Sequence, residues 1–106
     1  MEEITRGGNN VFADLGLADS DERQTKVQLA LEINRILDEL RLKQADVGRL
    51  LGINQPKVSA LSHFKLDGFS VERLMGFLVA LDRDVDIIIR RKPSTKKKAR
   101  LSVVSS

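Results

Sequence analysis

One stretch, residues 44–63 with the sequence QADVGRLLGINQPKVSALSH, leaves this chain few folds to choose from. Two short helical patterns are split by Gly52-Ile53-Asn54. The first carries Val47, Leu50 and Leu51 at helical spacing. The second carries Val58 and Leu61 three apart, with Gln55, Pro56, Lys57, Ser59 and Ser62 turned elsewhere. Gly52 suits the left-handed conformation that closes a helix, because it has no Cβ to clash. Asn54 is a good N-cap, and Pro56 falls in the first turn of the next helix, where a missing N–H does no harm. Two amphipathic helices about a tight glycine turn have the form of a helix-turn-helix, and spacing alone fits any small helical hairpin as well.

The flanks extend the helical pattern on both sides. Asp19-Ser20-Asp21-Glu22 combines capping side chains with acids that complement a helix dipole, so a helix is expected to start there. From that point to about Arg41, the residues Leu29, Ile33, Ile36, Leu37 and Leu40 recur at three and four, the period of a long amphipathic helix. The next helix runs from about Lys43 to Leu51, and the one after it from Asn54 to about Phe64 or Lys65, before the break at Asp67-Gly68. Ser70 caps a fourth, with Val71, Leu74, Met75, Leu78 and Leu81 as its inward stripe. Met75 at that spacing is a core residue and not a ligand.

At Asp84 the period changes from helical to two. Val85, Ile87 and Ile89 alternate with Asp84, Asp86 and Arg90, and β-branched residues at period two predict a strand. A single strand leaves its backbone groups unpaired and its edges open. Pairing with the same strand of a second copy, antiparallel across a two-fold axis, satisfies both; pairing with another protein's sheet edge is the alternative. Residues Val85, Ile87, Ile88 and Ile89 are therefore the candidate dimer strand. Residues 92–106 are polar, basic and aperiodic and are expected to form a disordered tail, simply solvated or touching DNA phosphates. Residues 1–19 form an irregular leader, with glycines and asparagines before the apolar cluster Val11-Phe12-Ala13 and Leu15-Gly16-Leu17. That cluster could dock on the domain itself or on a partner.

Charge separates the parts further. Residues 87–106 hold seven basic residues and no acid, while residues 1–86 hold 11 basic against 15 acidic. Within the mildly acidic body, residues 41–65 reverse the sign, with Arg41, Lys43, Arg49, Lys57 and Lys65 against Asp46. A local positive patch of this kind is the footprint of a phosphate-contacting face, though ordinary surfaces also scatter this much. The chain has no cysteine, which removes disulfides, thiolate zinc sites and a thiol nucleophile. With one histidine, no glycine-rich phosphate loop and no carboxylate pair in an evident cleft, no enzyme chemistry, metal or cofactor can be assigned. The first residues lack the basic-then-apolar order of a signal peptide, and no apolar run nears the roughly 20 residues of a membrane span. The expectation is a cytoplasmic protein without membrane contact.

With the elements placed, Gln44, the small residue Gly48, Gly52 at the turn, Val58 and Leu61 resemble the helix-turn-helix signature of the Cro and phage-repressor class, the XRE family. The frame GGNNVFADLGL, then LLGINQPKVSALSHFKLDGFSVERLMGFLVALDRDVDIIIR, resembles the small HigA-like antitoxins over roughly residues 8–91. The resemblance implies a mainly α, four-to-five-helix domain of the lambda-repressor type over residues 20–91, with one C-terminal strand pairing in a dimer. Two positions depart from the family's habit. Gly48 stands where Ala is usual, costing about 1 kcal/mol of helix propensity, and Lys43 stands at the N-cap where Thr is frequent, so this helix should be softer than in its relatives.

In such a motif the second helix enters the major groove with its N-terminal residues at the base edges. That brings forward Gln55, Pro56, Lys57 and Ala60 as base readers. Gln55 can pair with adenine, Lys57 with guanine O6/N7 or a phosphate, and Ala60 can touch a thymine methyl. Gln44 in the resembling repressors contacts a phosphate and braces the residue at Gln55. Ser59, Ser62, His63 and Lys65 are candidates for the DNA backbone, with His63 equally readable as an ordinary surface residue. The implied function is a sequence-specific regulator of transcription that binds a palindromic operator as a homodimer, represses its own operon and neutralises a small toxin protein. The alternative is a toxin-binding interaction module with little or no specific DNA binding.

Overall fold

Glu22 and Lys26, four residues apart, pair at 3.5 Å near the start of the 22-residue helix α1 (Asp19–Leu40) in the computed structural model of the protein. The structure describes residues 19–95 and 99–105; most of the leader, the lysine run at 96–98 and the side chains of Asp19 and Ser20 lie outside the described residues, and the capping expected of that pair lies outside with them. Three shorter helices follow: α2 (Gln44–Leu51), α3 (Gln55–Ser62) and α4 (Val71–Ala80). Helix α1 packs chiefly on α4. Helices α2 and α3 pack on each other, α3 also meets α1, and α2 meets α4.

Helix α1 buries Leu29, Ala30, Ile33 and Ile36, as the period demands. Leu40, expected on the same stripe, is 51% exposed. Residues 38–42 are all exposed, so the last turn of α1 projects past the core before Arg41, at φ 55°, turns the chain. Thr25 is the polar residue buried among these side chains. Its Oγ1 donates to the Asp21 carbonyl at 2.8 Å, which satisfies the hydroxyl within the helix itself.

The caps foreseen for α3 and α4 are in place. Asn54 accepts from the Lys57 N–H and Ser70 from the Arg73 N–H, each at 3.0 Å, whereas Lys43 gives α2 no side-chain cap. Helix α3 stops at Ser62, two or three residues short of the expected end. Phe64 takes φ 59°, and the N–H groups of Phe64 and Lys65 return to the carbonyls of Leu61 and Ala60. This closure turns the chain so that Leu66 and Phe69 enter the core between α3 and α4. Phe69 meets Phe77 of α4 edge to face at 5.9 Å. None of these three was expected in the core. Val47, Leu51, Val58, Leu61, Leu74, Leu78 and Leu81 are buried, Met75 packs against them half-buried, and Leu50 turns outward.

No strand forms among the described residues. Residues 84–90 carry neither helix nor turn, Val85 packs on the core, and Ile87, Ile88 and Ile89 are 75%, 72% and 91% exposed. The reason is the one that made the strand a problem in sequence: a ladder needs a second strand, and the described residues offer none. Within the tail, Val103 returns to the core, and Arg100 to Val103 line a shallow groove with Asp21, Gln24, Thr25 and Gln28 on the first turns of α1.

Gly48 has a role that helix propensity does not capture. A Cβ there would lie 2.8 Å from the backbone carbonyl oxygen of Ile53, and the Gly48 carbonyl accepts the N–H groups of both Gly52 and Ile53. The turn is wound onto the space that a methyl would fill. Gly48→Ala gains about 1 kcal/mol of helix propensity and meets an overpacking cost of typically 1–3 kcal/mol. Urea unfolding is therefore expected to show no stabilisation and a net loss of about 1 kcal/mol.

Candidate nucleic-acid interface

The first turn of α3 begins at the Asn54 cap and presents Gln55 and Pro56, both exposed, to solvent. Across the turn, at the start of α2, Gln44 is exposed too. The Gln55 Nε2 donates to the Gln44 Oε1 at 3.3 Å. A free glutamine samples many rotamers; a glutamine held by a second amide presents its remaining donors and acceptors in fewer orientations, at a lower entropy cost on binding. The two expected partners are thus brought together at the start of both helices.

Lys57, the next expected reader, is half-buried and already engaged. Its ammonium donates to the Gly68 carbonyl at 2.8 Å and lies 4.9 Å from the Phe69 ring centroid. Reaching a guanine would mean giving up both interactions. Ala60 is half-buried against the core, which leaves part of its methyl for an outside neighbour.

Of the residues set aside for the DNA backbone, Gln44 lies beside Gln55, and the others gather toward the far end of α3. The Ser59 carbonyl accepts from the His63 N–H at 3.1 Å, the Ser62 Oγ at 2.9 Å and the His63 Nδ1 at 2.8 Å. Since a carbonyl can only accept, the Nδ1 carries the proton, and these donors close the helix's C-terminal end. Lys65 is exposed, and its side chain has no partner among the described residues. On α2, Arg49 pairs with Asp46, its neighbour one turn back. The face therefore combines braced amides at the start of α3 with Lys65 and His63 beyond its end. Among the described residues there is no cluster that could hold a metal ion, and no helix is long and apolar enough to cross a membrane.

A family model described as a helix-turn-helix domain matches residues 11–90. A solved structure, whose name assigns it provisionally to the XRE-family transcriptional regulators, is 57% identical and aligns over 84% of this chain and 100% of its own, with a TM-score of 0.81. The chain belongs to the XRE helix-turn-helix family. No curated protein matches it significantly.

Within this XRE-family frame, one positioning residue escaped the sequence pattern. Asn34, half-buried on α1, donates through Nδ2 to its own helix at the Ala30 carbonyl (2.9 Å) and across to the Leu61 carbonyl in the last turn of α3 (3.1 Å). The second bond joins residues 27 apart in sequence and fixes α3 against the longest helix. The available signal was an amide directly beside Ile33 on the apolar stripe. Asn34→Ala is expected to cost about 1–2 kcal/mol, measured by urea unfolding, with faster amide exchange in the last turn of α3 than at the Asn54 end.

Proposed function

We propose that this protein is a sequence-specific DNA-binding regulator of transcription that acts as a homodimer on a palindromic operator. The observation that carries the reading is the pair of bonded, exposed amides, Gln44 and Gln55, at the start of a helix whose other face is locked into the core. A glutamine held in this way matches the N6 donor and N7 acceptor of adenine in the major groove. Gln55, Pro56 and Ala60 face the bases in this reading. Lys57 serves them indirectly by tying α3 to the loop at Gly68, and is free to reach a base only when that tie opens. Gln44, Ser59, Ser62, His63 and Lys65 lie along the sugar-phosphate backbone, where charge and donors fix register without reading sequence. Being a member of a helix-turn-helix family whose solved relative is named as a transcriptional regulator supports the same assignment.

The dimer reading rests on Ile87, Ile88 and Ile89, whose apolar, β-branched side chains stand in solvent with no strand among the described residues to pair with. Two copies would set half-sites about one helical turn apart, roughly 34–36 Å or a multiple of it. The resemblance to HigA-like antitoxins supports a second role, neutralising a small toxin while repressing the shared operon. Co-purification with the product of an adjacent small reading frame tests that role separately; a clean absence from the purified complex, with operator binding intact, would remove it.

Two substitutions separate reading from positioning. Gln55→Ala is expected to flatten the preference at one base position per half-site, a discrimination worth roughly 1–3 kcal/mol. Unchanged preference in a binding-site selection would overturn the assignment. Lys65→Ala is expected to weaken all sequences alike and to lower the slope of log affinity against log salt by about 0.9 for each phosphate left without its cation.

A further inference from the structure

The segment after α4 combines two properties that nothing among the described residues explains. Ile87, Ile88 and Ile89 stand in solvent next to Val85, which still packs on the helical core. On one side of them lie Asp84 and Asp86, and on the other Arg90, Arg91 and Lys92. None of the ion pairs among the described residues engages Asp84, Asp86 or Arg90. An apolar centre with acids before it and bases after it is self-complementary when reversed, because an antiparallel copy sets the acidic end of one against the basic end of the other.

Symmetry then restricts the register. A two-fold axis perpendicular to an antiparallel ribbon keeps each residue on its own face, and directly opposed residues share a face. A closed pair must therefore have one residue facing itself. With Ile88 at the axis, Ile87 opposes Ile89 of the second copy, Asp86 opposes Arg90, Asp84 opposes Lys92 and Val85 opposes Arg91, each pair occurring twice. With the axis at Ile87, Asp84 still meets Arg90 but Asp86 falls opposite Ile88. With the axis at Ile89, Asp86 meets Lys92 but Ile87 and Ile88 fall opposite Arg91 and Arg90. A single register satisfies both acids and keeps the isoleucines together, and opposed charges and β-branched pairs are what stabilise a ribbon.

We infer that this chain dimerises through an antiparallel ribbon of residues 84–92 with its two-fold axis at Ile88. The inference rests on the dimeric reading given above and fixes its geometry. Two strands alone are marginal in water and need a helical surface behind them. Val85 supplies that anchor, since it lies on the same ribbon face as Ile87 and Ile89 and already touches the core.

The chain has no cysteine, so single thiols report the register without background. Ile87→Cys, Ile88→Cys and Ile89→Cys are each oxidised mildly in the absence of DNA. Ile88→Cys is expected to form a covalent dimer at least about tenfold faster than either neighbour, because non-opposed Cα atoms exceed the roughly 7 Å that a disulfide can bridge. A mixture of the Ile87→Cys and Ile89→Cys proteins should cross-link to each other. Preferential self-linking of Ile87→Cys or Ile89→Cys would overturn the register while leaving the dimer. No cross-link in any variant, with the unaltered protein sedimenting as a monomer, would overturn the dimer itself; half-site binding retained by that monomer would leave the DNA-binding reading standing.

Charge exchange gives an independent measurement. Asp86→Arg and Arg90→Asp are each expected to raise the dimer dissociation constant about tenfold, and the double variant to return within about threefold of the original. A double variant as weak as the singles would exclude the Ile88 axis.

Discussion

Helix α3 has to be seated from outside, and the other elements are placed so as to seat it. A helix of eight residues has too few internal hydrogen bonds to persist alone, since isolated helices shorter than about 12–15 residues are marginal in water. Leu61 is almost wholly enclosed, with Ile33 and Leu74, and Val58 is buried beside it. Asn34 bonds the Leu61 carbonyl, Asn54 caps the first turn, and Lys57 ties the helix to the loop before α4. The outward face can carry Gln55 and Pro56 in water because the inward face supplies the stability.

How the helices end is the second organising feature. Each of the four described helices is followed by a residue at positive φ: Arg41, Gly52, Phe64 and Asp82. Glycine occupies one of these positions. A side chain in the left-handed region costs roughly 1–2 kcal/mol, and a bulky aromatic such as Phe64 is an uncommon occupant. At Phe64 and Asp82 the closure is the reciprocal pattern in which two N–H groups return to the last turn. Those bonds satisfy carbonyls that would otherwise be orphaned, and the turn at Phe64 directs Leu66 and Phe69 into the core. The strain is offset by burial elsewhere.

Local chemistry made much of this legible in sequence. Asn54, Ser70 and Gly52 announce their caps because their side chains, or the lack of one, act within four residues. The stripes of α1 and α4 follow from period, and the turn between α2 and α3 from Gly52-Ile53-Asn54. Other features were hidden because they depend on what lies opposite. Leu40 and Leu50 carry the same periodic signal as their buried neighbours, and only the extent of the packing surface decides that they face water. Leu66 and Phe69 gave no periodic signal because they join elements and do not line one. Phe77 shares the period of α4, three residues after Leu74, and the ring that receives it comes from that joining segment. Gly48 showed a propensity cost, and the carbonyl of Ile53 that requires it became visible only with the turn closed.

Short-range sterics and hydrogen bonds specify the four helices, the caps of α3 and α4 and the turn of the motif, so the amino-acid order was enough to place them. The same order marked residues 85–89 as strand-like and left them without a partner. Which side chains are free to act was settled at the tertiary level. There Gln55 is braced against Gln44, the Lys57 ammonium is drawn onto Gly68 and Phe69, and α3 is tied to α1 through Asn34. A side chain's type fixes what it can bond, but its neighbours in space decide whether that capacity is already used.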